Sequence, residues 1–543
     1  MMNKTIFASA SVLALTAASP VLGQATVPPE CVGVTGNCSV VSSSGTNNTV
    51  TVDQTGTGNV SDVDQDGDDQ TAIVDQDPDN NISNISQETP GVGAGDLTAD
   101  VSQSGGGDSV ISQSAGGDNS GMLAANVLQA GASASDISQT TSNVTASNFT
   151  ADVMQTGDGH SSIITQFDTG GGTNDGNLDA DVMQTGSDNS SDIVQRNRDQ
   201  TAIVTQSGDG GFSFIDQRGR SNLTTLDQSG SDNFSDVFQD DVGPNGQTAT
   251  ISQTGTDNDT LIFQDGRNAG ANDGNNLATV TQDGAGGFAT VEQVDQARGD
   301  NATITQNAGT TGANAGIVQT GDTVDGPPAT ANVASITQSG SSGNFSFIVQ
   351  GDTSAFGGTV GGANDSSATS LQDGGSMNSL IVQGGATQTA FVDQVGNGNG
   401  SDVIQGDFGG SNSDANVSQS GTNSQSLVFQ NSDNSDADVI QGAGDDNFSA
   451  IDQGFVGMAG AGADGNIASV TQNGSGNSSE ITQNLLAAGG LNTATVLQDG
   501  DGATSTIDQE GSLNTATVTQ FDDSTSSVTQ SGTGNTVTVT QGT

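Results

Sequence analysis

Tryptophan and tyrosine are absent from the 543 residues, and there is one histidine and two cysteines. Lysine and arginine together number 7 against 63 aspartates and glutamates, giving a formal net charge of -56 at pH 7. The lack of clustered cations argues against binding to nucleic acid or to an anionic membrane surface, since both need Lys and Arg. With His160 as the sole histidine, no nucleophile–base pair can be assembled. Carboxylates are so abundant that no pair of them is informative, so the reading is of a non-enzyme without a cofactor. Large apolar side chains are scarce too: only 31% of residues are hydrophobic. Low hydrophobicity with high net charge is, taken alone, the signature of disorder.

Long apolar runs are also missing, apart from one at the start. MMNKTIFASASVLALTAASPVLGQA places Lys4 before an apolar stretch from Ile6 to about Ala18 and then small residues. This is the layout of a secretory signal, expected over 1–23, and it is too short for a membrane span. The next segment, 24–44, holds Cys31 and Cys38, the only cysteines. Export makes a local disulfide between them the simpler reading, and the distance of His160 in sequence argues against a metal site.

What the chain does have is a repeat. Glutamine closes 39 strand-like runs, from Gln54, Gln65 and Gln76 to Gln520, Gln530 and Gln541, and 20 of the 38 intervals are 11 residues. Two residues before these glutamines stands Val, Ile or Leu in every case but Ser370. Alternation with period two means a strand, with Asn, Ala, Val and Gln on one face, as in Asn514, Ala516, Val518 and Gln520. Thr515, Thr517 and Thr519 take the other face.

The true period is 22. Four residues before the odd-numbered glutamines stands Ala in 17 of 20 cases, and before the even-numbered ones Ser in 16 of 19. Of the 13 intervals of 13 residues or more, 12 follow an even-numbered glutamine. Two strands per coil explain this, with one tight corner and one that extrudes loops, where extra length costs little entropy. The pattern predicts an all-β protein: a β-solenoid of about 20 two-strand coils over 45–543, roughly 95 Å long at about 4.8 Å per coil. Ladders of Gln and Asn would satisfy their own buried amides along the stack.

The combined unit, S-x-(V/I)-x-Q-x-G-x-x-N-x-A-x-(V/I)-x-Q, is visible in Ser505, Ile507, Gln509, Gly511, Asn514, Ala516, Val518 and Gln520. It resembles the curlin repeat of bacterial curli fibres, here with an unusually large number of repeats and covering Asn48 to Gln541. The resemblance implies passage through an outer-membrane secretion channel and self-assembly into extracellular, pilus-like functional amyloid at the cell surface. It further implies partnership with other curlin-like subunits and a role in adhesion and biofilm.

Surface features add expectations. The acidic surface predicts self-repulsion at neutral pH, relieved by acid or by diffusely bound divalent cations. The nonapeptide of calcium β-rolls and the helical calcium loop are absent, so no metal site is assigned. Outward-facing phenylalanines gather on even strands, with Phe212, Phe214, Phe234, Phe238, Phe345 and Phe347 marking a lateral-contact stripe. Arg196 and Arg198 recur 22 residues on as Arg218 and Arg220, with Asp240 and Asp241 after another 22, which suggests a stacked salt-bridge ladder. The last strand, Asn535, Val537, Val539 and Gln541, is the expected polymerising edge, stacking near Asn48 to Gln54 of a neighbour. The alternative is a monomeric repeat adhesin or a module whose Thr rows match a regular surface such as ice.

Overall fold

The computed structural model describes residues 25–89, 96–116, 121–141, 148–168, 176–241, 246–266, 275–294, 299–320, 331–351, 365–406, 411–454, 465–484 and 490–542. The expected signal segment 1–23 lies outside them, as do twelve internal stretches. Each of these stretches falls in an interval after an even-numbered glutamine, so the expected extruded loops are not among the described residues. The chain divides into two compact units: Met1–Asn174 with Ser190–Ile193, and Asp175–Asn189 with Val194–Thr543.

Both units are β-solenoids. In the first, Cys38–Ser44, Val60–Asp66, Ile82–Glu88, Asp108–Ala115, Ala134–Thr141 and Ser161–Asp168 pair in that order, all parallel. The strands between them form a second parallel sheet, from Thr49–Gln54 through Gln70–Gln76, Leu97–Ser104 and Leu123–Ala130 to Phe149–Asp158. In the second unit one sheet runs from Leu178–Ser187 to Thr536–Gln541 and the other includes Phe212–Gly219 through Thr525–Thr533. Successive strands alternate between sheets, so each pair of strands makes one coil.

Register follows chemistry. Within each unit the closing glutamines pair with one another in register, as Gln206 does with Gln228 and Gln239 with Gln264. A slip of one residue would turn the whole aliphatic and amide set outward. The core is thin but dry. Val63, Ile111 and Ile137 in the first unit, and Ile215, Val237 and Ile262 in the second, have no exposed surface. The Ala row, such as Ala202, Ala249 and Ala278, is equally buried.

The glutamines supply what the small core lacks. From Gln184 to Gln541 each Nε2 donates to the Oε1 of the next glutamine, at 2.7–3.0 Å. The other sheet of this unit repeats the pattern from Gln217 to Gln530, at 2.7–3.0 Å. The second amide proton goes across the core to a backbone carbonyl, as from Gln217 to Thr201 O at 2.9 Å. Both donors are therefore satisfied without water, which makes burial of the amide affordable.

Glycine is required at the corners. Gly208 has φ +157° and Gly230 φ +110°, and a Cβ on either would overlap the carbonyl oxygen of the glycine in the coil above. Any other residue would force neighbouring coils apart. Among the described residues no helix is long and apolar enough to cross a membrane, which says nothing of strands.

Candidate assembly surfaces

The first coil of the first unit and the last coil of the second leave their inward rows partly open. In Thr536–Gln541 the inward residues Val537, Val539 and Gln541 are half-buried, and Asn535 is exposed. One coil below, Ala516, Val518 and Gln520 are fully buried. At the other end Ser39, Val41 and Ser43 are exposed, with Val41 at 49%, and Asn48, Val50, Val52 and Gln54 are half-buried. The strand Cys38–Ser44 falls in the segment 24–44 and has no closing glutamine, so glutamine spacing does not reveal it. Its 22-residue offset does: Val41 registers with Val63, and Ser43 with Gln65.

Cys31 and Cys38 form a disulfide, with Cα atoms 5.7 Å apart. Cys31 is buried, and the short 3-10 turn Pro29–Cys31 lies beside the first strand. Asn37 Nδ2 donates to Gln54 O at 3.0 Å, and Asn84 Nδ2 to Thr26 O at 3.3 Å. The N-terminal segment is thus tied to the outer face of the first coils, while Val41 remains open.

The six stripe phenylalanines lie on one sheet of the second unit, all half-buried. Phe212 stacks on Phe234 with ring centroids 5.2 Å apart, and Phe238 on Phe263 at 4.9 Å. Phe214 instead registers with Asp236, and Phe347 with Gly316 on one side and Leu380 on the other. A Cβ on Gly316 would press on the Phe347 ring, so the glycine makes room for it.

Beside these rings sits the arginine cluster. Arg218 Nη2 donates to Asp216 Oδ2 at 2.6 Å, and Arg196 Nε lies 4.0 Å from Asp216 Oδ1. The Arg218 guanidinium also lies over the Phe238 ring, 4.8 Å from its centroid. Asp240 registers with Arg218, as the 22-residue recurrence implies, but the close pair is to Asp216 on the arginine's own strand. Arg198 and Arg220 are bridged by their backbones.

Carboxyl groups that depart from their ordinary range do so upward. Burial pushes Asp236 up to about 6, with the Asp216 charge adding to it, and Asp452 up to about 6, with Glu480 adding. Asp300 is pushed up to about 7 by burial, partly offset by hydrogen bonds from Asn332. It stands in a corner row between Asn276 and Asn332, six residues before its closing glutamine. Its Oδ1 accepts from Asn332 N at 2.8 Å, and its own N–H donates to Asn276 Oδ1 at 3.1 Å. Its Oδ2 is buried without a hydrogen-bond partner. Nearer the C-terminus Asn514 Nδ2 reaches Glu510 O at 3.2 Å and Gly532 O at 3.1 Å, whereas Asn276 Nδ2, next to Asp300 in its own row, is buried without a hydrogen-bond partner. Among the described residues no group of three or more acidic, His or Cys side chains could hold a metal.

No curated protein matches the chain. The curlin-associated repeat matches it at residues 45–77 and 492–521, one stretch near each end of the solenoid pattern. Both stretches carry the paired glutamine columns, and the coils between them keep the same register. The chain thus carries curlin-associated repeats near both ends of the solenoid pattern.

Proposed function

We propose that this curlin-repeat chain is a structural subunit of extracellular curli-like fibres that supports cell adhesion and a biofilm matrix. The observation that carries this reading is the pair of terminal coils. Each presents unsatisfied strand edges and half-open aliphatic and amide rows, a template for another coil. The family adds secretion and self-association to what the coils offer. Growth then consists of adding solenoid to solenoid, with acid or divalent cations screening the -56 charge. Purified protein lacking the signal segment, incubated at about pH 4.5 and about pH 7, should give fibres seen by electron microscopy. Persistent monomer at both would favour the monomeric adhesin or regular-surface reading.

The phenylalanine stripe serves contact between fibres rather than growth. The rings lie on one sheet of the second unit, where Phe212 stacks on Phe234 and Arg218 pairs with Asp216. Phe212→Ser with Phe234→Ser removes a stacked pair without touching the core. Bundles should thin to single fibres in electron micrographs while the elongation rate stays within about twofold of the parent. Unchanged bundles would remove the stripe from the account.

A further inference from the structure

The chain is acidic almost throughout, yet its described cations are gathered in one place. Among the described residues the Lys and Arg side chains are Arg196, Arg198, Arg218 and Arg220 alone. They occupy the corners after Gln195 and Gln217, in two successive coils of the second unit. Gln195 to Gln206 and Gln217 to Gln228 are 11-residue intervals, so neither corner extrudes a loop of its own. Arg198 stacks on Arg220: Arg198 N donates to Gly219 O at 3.3 Å, and Ser221 N to Arg198 O at 3.2 Å. Like charges stacked at coil spacing repel unless carboxylates lie beside them. The acids nearby are engaged within the copy. Asp216 holds Arg218 and lies 4.0 Å from Arg196, Asp240 registers with Arg218, and Asp199 accepts from Asn177 N at 3.2 Å. Arg220 makes no ion pair among the described residues.

The opposite corner of the same coils carries the reverse charge. Asp188, Asp209, Asp232 and Asp257 stand there, one per coil and all exposed. Ser187 registers with Asp209, Asp209 with Ser231 and Ser231 with Thr256, so this ladder has the pitch of the arginine ladder. Asp209 accepts from Ser187 N at 3.1 Å, while Asp188, Asp232 and Asp257 make no ion pair among the described residues. Asp259 next to this corner is raised above its ordinary range by burial and by the Asp257 charge, so counter-charge is short here.

We infer that the arginine corner of the second unit is a lateral docking surface for the aspartate corner of a second copy. The contact is heterologous, since each copy presents arginines on one edge and aspartates on the other. Copies lying parallel and level then join edge to edge, with Arg198 and Arg220 meeting Asp188, Asp209 and Asp232. Carboxylates held at the same spacing engage both guanidinium groups at once, each in a two-pronged geometry. That match of pitch favours a second copy over a soluble polyanion, whose charges have no fixed spacing. Exposed ion pairs are weak singly, so the contact acts by repetition along a fibre and in that respect rests on the fibre reading. It is separate from the phenylalanine stripe, which lies on a sheet face rather than a corner.

Zero-length cross-linking identifies the partner directly. Beyond Lys4, in the expected signal segment, the chain has no lysine, so Arg220→Lys introduces one side-chain amine and keeps the charge. Protein without the signal segment, half of it labelled with heavy nitrogen, is incubated to polymerise and treated with a carbodiimide. The reagent joins an amine to a carboxylate in contact with it, and peptide mass spectrometry then locates the link. The expected result is an amide from position 220 to Asp209 or Asp232 of the other copy. Its yield should fall at least about tenfold in about 1 M salt, where screening acts over about 3 Å. Links confined to one copy, or spread over other carboxylates, overturn the contact and leave the fibre reading standing. Retention on polyuronate beads that depends on Arg220, without the link, would assign the corner to an anionic polysaccharide and overturn it too. The expected link in chains that give no polymer would keep the contact and overturn the fibre reading. Neither polymer nor link overturns both.

Discussion

Replacing Asp300 with asparagine is expected to stabilise the second unit at about pH 8 by up to about 4 kcal/mol and to flatten its pH dependence between about 4 and 7. The parent carboxyl is raised to about 7 by burial. Below the unfolded value of 3.8 both states are protonated, so the carboxyl adds no penalty. As pH rises, the unfolded chain releases its proton first, while the folded chain keeps it until about 7. Stability therefore falls across that window and is lowest above it, the reverse of the usual salt-bridged aspartate. No charged side chain contributes to the shift. Glu292 lies on the facing strand Phe288–Val294, Asp283 follows the strand below, and Asp295 and Arg298 fall outside the described residues. Asparagine keeps the shape and the Oδ1 acceptor for Asn332 N but removes the ionisable group. Hydrogen exchange of the Asn301–Gln306 amides against pH would read the effect locally, as suits a stack whose coils contact only their neighbours. A parent protein equally protected at both ends of the window would contradict it. Asp236 and Asp452, raised to about 6 by burial, push in the same direction, so mild acid strengthens the fold as well as lowering repulsion.

The second large effect separates folding from growth. Gln239→Leu, in the middle of a column, should cost about 2–4 kcal/mol. Gln239 accepts from Gln217 Nε2 at 3.0 Å and from Thr224 Oγ1 at 3.0 Å, and donates to Gln264 Oε1 at 2.8 Å and to Leu223 O at 3.3 Å. Leucine keeps the volume but leaves those buried partners unmet. Gln541→Leu removes the same side chain where solvent still reaches it, so the stability change should stay below about 1 kcal/mol. Its effect appears in assembly, because the amide that continues the column into the next copy is gone. Denaturant unfolding of monomer and seeded growth rates measure the two separately. A Gln541→Leu chain that elongates like the parent would argue that growth does not use this end.

The solenoid is legible because each coil must repeat one solution. Gln206, Gln228 and Gln253 recur in phase since an amide buried in so thin a core can only be satisfied by its own copies, and Ala202 and Ala249 recur because the facing glutamines leave no room. Parity of insertion is legible too, since one corner takes 12 of the 13 longest intervals, with Gln306 to Gln319 the exception. What single residues do within the stack is less so. Ser43 breaks the glutamine rule, so the strand Cys38–Ser44 is invisible until its register with Val60–Asp66 is seen. Asp300 is one of 63 acidic residues, and only its place between Asn276 and Asn332 makes it unusual. Phe212 and Phe234 read as outward and exposed, yet stacking in register leaves each half covered.

The most direct test is X-ray diffraction from aligned fibres of the protein without its signal segment. End-to-end stacking of coils puts the strand spacing, about 4.8 Å, on the meridian, along the fibre axis. A strong meridional reflection there is the predicted result. The same spacing on the equator would mean that solenoids associate side by side, and would contradict growth through the terminal coils.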